Sequence, residues 1–177
     1  DNPIIGESWQ GLAVNGWVPP DNAGAISGSG NIVTCINSRI GFYDEEGNNL
    51  LDQSLSDVFS PINAGATVFD PKVEYSNYHN NFIVVALDGN TPSSTSLLIA
   101  FSVSSNPLDG FWMYSYAGDF CDPGDVWFDY PNIGISAQEL FVAGNLFTAS
   151  DNFQESFVFQ IELADAWTGG SLSGWGY

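Results

Sequence analysis

A repeat with a period of about 59 residues constrains this chain more than any other feature. One unit runs Asp70-Pro71-Lys72-Val73-Glu74-Tyr75, a short polar stretch, Phe82-Ile83-Val84-Val85-Ala86, then Leu98-Ile99-Ala100-Phe101-Ser102-Val103. The same order returns as Asp129-Tyr130-Pro131-Asn132-Ile133-Gly134-Ile135, Leu140-Phe141-Val142-Ala143-Gly144 and Phe157-Val158-Phe159-Gln160-Ile161. Three landmarks move together: Asp70 to Asp129 is 59 residues, Phe82 to Leu140 is 58 and Ile99 to Val158 is 59. A unit of short antiparallel strands at this spacing reads as a propeller blade, which buries its faces only by stacking on its neighbours.

Short apolar runs separated by turn clusters predict strands at Asn31–Ile36, Ser38–Tyr43, Lys72–Tyr75, Phe82–Leu87, Leu97–Ser104, Phe111–Tyr116, Asn132–Ser136, Leu140–Phe147 and Ser156–Leu163. No run keeps helical spacing for three turns. Six Trp, seven Tyr and thirteen Phe, punctuated by 19 Gly and 9 Pro, suit pleated surfaces. The expected fold is all-β and β-propeller-like, with blade units at about 17–69, 70–128 and 129–167 and a Gly-rich tail at 168–177. A β-sandwich whose halves resemble one another is the alternative. Three units leave two blade faces bare, and the tail reads as too rich in glycine to form a capping blade or a strand closing the first unit. The expectation is therefore a piece of a longer polypeptide, ordered against the remainder of it or another protein chain.

Twenty-one acidic residues face only Arg39 and Lys72, for a net charge of −19. Such a surface repels phosphate backbones and anionic lipid, which argues against nucleic-acid binding. Cations, basic partners and neutral glycans remain compatible with it. No apolar segment approaches the ~18 residues of a membrane span, so no membrane insertion is expected. Cys35 and Cys121 match no zinc signature; one long-range disulfide and two free thiols are both open. His79 stands alone in a polar stretch and is expected to face solvent. Phosphate-loop and dinucleotide signatures are missing.

Three groups of residues could carry chemistry. Asp119, Asp122, Asp125 and Asp129 crowd around Pro123-Gly124, and such a turn can offer Ca²⁺ several oxygens or simply cap a blade edge in solvent. Asp70 and Asp129 stand at corresponding places in successive units, where carboxylates can point into a shared funnel; a propeller glycosidase would need such a pair. A bare structural role is open too, because Asp accepts turn hydrogen bonds and Pro opens edge strands. Trp112, Tyr114 and Tyr116 alternate on one strand face, and Trp127 and Tyr130 follow the acidic loop. Trp112, Tyr114, Trp127 and Tyr130 are the candidate glycan contacts, with filling of the wedge between blades as the other role.

The stretch Pro19-Pro20-Asp21-Asn22-Ala23-Gly24-Ala25, with Asn31-Ile32-Val33, Ile36-Asn37-Ser38 and Phe42-Tyr43-Asp44-Glu45-Glu46-Gly47, resembles the opening of a family of secreted, Bacteroidetes-type propeller-like surface proteins. The resemblance continues through Asp70-Pro71-Lys72-Val73, the segment Ser102–Gly110 leading into Phe111-Trp112, and Phe128-Asp129-Tyr130-Pro131. It implies an exported, cell-surface propeller and names no activity. The chain departs from that family in its scarcity of Arg and Lys. From residues and resemblance together, the expected function is a non-catalytic recognition or scaffold segment, binding cations and glycans. The alternative is a propeller-type glycoside hydrolase using Asp70 and Asp129.

Overall fold

The computed structural model describes residues 8–119 and 125–177. Their strands form three four-stranded antiparallel sheets, each a meander. The first contains β1 (Ala23–Ile26), β2 (Ile32–Ile36), β3 (Arg39–Tyr43) and β4 (Asn49–Ser54). A one-turn helix, α1 (Leu55–Val58), leads to the second: β5 (Val68–Ser76), β6 (Asn81–Asp88), β7 (Ser96–Ser102) and β8 (Phe111–Ala117). The third contains β9 (Val126–Ile135), β10 (Glu139–Thr148), β11 (Phe153–Glu162) and β12 (Gly174–Gly176). The leading strands are neighbours, β1 against β5 and β5 against β9, so the sheets fan outward from three inner strands. The architecture is all-β and propeller-like.

Packing explains the hydropathy pattern. In the middle sheet, Phe82, Val84 and Ala86 of β6 join a core shared with the first sheet, while Ile83, Val85 and Leu87 join one shared with the third. A strand covered on both faces loses its alternation, hence the unbroken apolar run. Strand β10 has one covered face: Leu140, Val142 and Leu146 are buried, and Phe141, Ala143 and Asn145 are only half-buried. The outward face of the first sheet is met by the segment before it, where Trp9 stacks on Tyr43 at 4.6 Å. The outward face of the third sheet leaves Phe153, Trp175 and Tyr177 exposed.

Three strands escape the sequence reading. Strand β1 offers only small residues before Ile26, and β4 sets adjacent Leu50 and Leu51 among polar residues. Strand β12 lies in the tail and extends the third sheet, where Gly174 and Gly176 pair with Ile161 and Phe159 of β11. Glycine is what permits this, because a Cβ on Gly176 would lie 2.2 Å from the Phe157 ring. Other turns behave as read. Gly47, at φ +81°, closes the Asp44–Asn48 hairpin, where the Asn48 backbone N–H donates to Asp44 Oδ1 at 2.8 Å. The Asn48 side chain also donates to this carboxylate and, with the backbone donors of the turn, holds its pKa below the usual value.

Cys35 is a buried free thiol on β2, and burial pushes its pKa up. Cys121 lies outside the described residues. No helix among the described residues is long and apolar enough to cross a membrane.

Candidate functional site

The inner strands share a local irregularity. On β5, Phe69 pairs with Leu87 and the next pair is Lys72 with Val85, so one extra residue is accommodated at Asp70-Pro71. On β9, Asp129 pairs with Asn145 and the next pair is Asn132 with Ala143, which places the same bulge at Tyr130-Pro131. Asp70 and Tyr130 are both left-handed, at φ +50° and +55°, and Asp21, two residues before β1, matches them at +42°. Proline, lacking an N–H, suits a point where the ladder is interrupted. The equivalence read from sequence therefore moves by one residue. Asp70 corresponds to Tyr130, and Asp129 corresponds to Phe69.

The bulges nevertheless bring Asp70 and Asp129 together, because each re-aims the side chains beside it. The two carboxyl groups are within hydrogen-bonding reach of one another. Asp21 joins them through Asn37, whose Nδ2 donates to Asp21 Oδ2 at 2.9 Å and to Asp70 Oδ1 at 3.4 Å. The Asn37 carbonyl accepts from the Asp70 backbone N–H at 3.1 Å. Asp70 of β5 and Asp129 of β9, with Asp21 linked to them through Asn37, thus lie together at the inner strands. Burial, and then the charges of Asp129 and Asp21, push the Asp70 pKa up to about 7.

Two-carboxylate glycosidases hold their carboxyls about 5–9.5 Å apart, wider than hydrogen-bonding reach. The cluster borders a cleft of about 320 Å³ lined by Trp17, Thr67, Phe69, Gly89, Asn90, Trp127 and Asp129. The Trp127 ring is fixed by its Nε1–H, which donates to the Thr148 carbonyl at 3.2 Å. Lys72 lies 5.4 Å from the Tyr130 ring centre.

The four aromatic candidates divide between two places. Trp127 lines the cleft, and Tyr130 sits on the adjacent bulge, half exposed. Trp112 and Tyr114, on the outer strand β8, are packed by the turn after β11. A Cβ on Gly169 would come within 2.5 Å of the Trp112 ring, and the Tyr114 hydroxyl donates to the Gly170 carbonyl at 2.8 Å. Of the acidic loop, Asp122 lies outside the described residues. Asp129 turns toward Asp70, and Asp125 is exposed at the start of β9. Among the described residues, no three His, Cys, Asp or Glu side chains are grouped to hold a metal ion.

Asp21, Asn37, Trp17 and Phe69 escape the sequence reading as site residues. Asp21 stands 49 residues before Asp70, off the 59-residue period, so only its Pro-Asp context marked it. His79 also departs from expectation. It is half-buried and stacked on Trp167 at 4.5 Å, with Nε2 2.8 Å from the Ala137 carbonyl.

No protein-family model matches the sequence, and no curated protein matches it. Among solved structures, a protein of unknown function from Bacteroides caccae is similar, with a TM-score of 0.48 and 11% identity. The match covers 86% of this chain and 56% of that one, so this chain spans little more than half of that protein.

Proposed function

We propose that this chain is a non-catalytic recognition module of the exported, cell-surface kind, and that it binds a neutral carbohydrate in the cleft between Trp17 and Trp127. The observation that carries this reading is one cleft holding two indole rings, the Phe69 ring and the Asp129 carboxylate. Sugar rings present C–H faces to aromatic planes and hydroxyls to carboxylate acceptors, so both kinds of wall are used. The neighbouring Asp70 and Asp21, with a net charge of −19, favour neutral over acidic sugars. Hydrogen-bonding reach between Asp70 and Asp129, closer than the spacing of a glycosidase pair, supports recognition over hydrolysis.

Titration calorimetry with neutral and uronate-containing oligosaccharides tests the proposal. Neutral sugars are expected to bind, and Trp127→Ala to weaken them by about tenfold or more. Trp127→Phe, which keeps a stacking face, should fall between the two. Trp112→Ala, on β8 and outside this cleft, leaves affinity unchanged. Equal affinity in wild type and Trp127→Ala, or no binding of any neutral oligosaccharide, would reject the carbohydrate reading.

A further inference from the structure

A second and larger cleft, of about 520 Å³, opens between the middle and third sheets. It is built from three segments. The β5–β6 turn supplies His79, the β9–β10 turn supplies Ala137 and Gln138, and the stretch after β11 supplies Trp167. They are tied together: His79 Nε2 meets the Ala137 carbonyl at 2.8 Å, and the Leu163 N–H donates to the Gln138 carbonyl at 2.9 Å. Along one wall stand Glu139 of β10 and Glu162 of β11.

These two glutamates are direct cross-strand partners. Like charges facing each other across a ladder repel, so the register is unfavourable unless something positive sits between them. Neither Arg39 nor Lys72, the chain's two basic side chains, supplies it. Arg39 is paired with Asp52 in the first sheet, and Lys72 lies over Tyr130. Glu139 receives only a neutral donor, Gln160 Nε2. The space far exceeds an ion, and two carboxylates fall well short of the six to eight oxygens that Ca²⁺ takes. Beside the carboxylates lies an aromatic wall, the His79–Trp167 stack. Paired acceptors next to a planar aromatic surface are complementary to a guanidinium, which binds carboxylates through its fork and stacks on rings.

We propose that this cleft accepts an arginine side chain of a partner polypeptide, with Glu139 and Glu162 as acceptors and the His79–Trp167 stack as its flat wall. The site is separate from the carbohydrate cleft and does not depend on that reading. The strong negative charge of the chain draws a basic segment toward it.

The test uses the full chain and short peptides bearing one arginine, one lysine or citrulline, with free arginine amide alongside, each followed by tryptophan fluorescence and calorimetry. The arginine peptide is expected to bind more tightly than the lysine peptide, and citrulline not at all. Arginine amide should bind more weakly than the peptide if the peptide backbone contributes. Glu139→Gln and Glu162→Gln should each weaken the arginine peptide about tenfold. Without ligand, each should raise the melting temperature, because it removes the facing charge. A control variant, Glu155→Gln, removes the same single charge elsewhere and leaves binding intact. Equal loss in this charge control, unchanged binding in the Glu139 and Glu162 variants, or no binding of any arginine ligand to the wild type would each overturn the proposal.

Discussion

Replacing Phe101 by alanine is expected to lower the melting temperature by about 10 °C. Phe101 is fully buried on β7, in the core between the middle and third sheets. Its ring meets Tyr114 edge-on at 5.9 Å and Trp167 at 5.2 Å. Truncating a buried phenylalanine costs about 3–5 kcal/mol, since the vacated space is only partly refilled. For a chain of this size each kcal/mol moves the midpoint by about 2–4 °C. The two sheets are joined by this wedge, so the loss should appear in one transition that also releases the β8 aromatics. Calorimetry checks it; a fall below about 2 °C would show that the wedge does not hold the sheets together.

Asp70→Asn is expected to stabilise the protein above neutrality and to flatten its pH dependence. An isolated aspartate titrates near 3.9 in the unfolded chain, and in the folded chain the Asp70 carboxyl is held up to about 7. A raised pKa means that the folded state binds the proton more tightly. Its contribution is complete below the unfolded value and is lost as pH rises through about 7. Asp70 is part-exposed, and after allowing for solvent screening the loss is about 1–2 kcal/mol between pH 5 and pH 9. Asparagine keeps the hydrogen-bonding shape, tolerates the left-handed backbone at φ +50° and carries no charge. Denaturant midpoints from pH 5 to pH 9 should diverge between the two proteins, with the variant the more stable at the alkaline end. Parallel curves would mean that Asp70 ionises without strain.

What could be read in the residues follows from which forces act locally. The apolar runs of β6 and β7 were legible because both faces of the middle sheet are covered, and no solvent alternation interrupts them. The 59-residue period was legible for the same reason. Strands β1 and β4 were not, since β1 offers only small residues before Ile26 and β4 sets two adjacent leucines among polar residues, and β12 forms because glycines clear the Phe157 and Phe159 rings. Sequence spacing offered a shared funnel for Asp70 and Asp129 as one of two readings, the other being a plain turn role. It could not foresee the route, because a bulge adds a residue without leaving a mark in hydropathy. Aromatic side chains were the least legible. Trp112 and Trp127 look alike in sequence, and only tertiary packing puts one under Gly169 and the other in a cleft.

The central claim is that the bulged inner strands join the carboxylates and the aromatic cleft into one binding site. Carboxyl carbon resonances of Asp21, Asp70 and Asp129, followed by NMR across pH 3–9 with and without a saturating neutral oligosaccharide, test it most directly. The account predicts a free-state Asp70 midpoint near 7 and an upward shift when the sugar covers Asp129 and excludes water. A midpoint near the ordinary value of about 3.9, unmoved by any sugar, would contradict it.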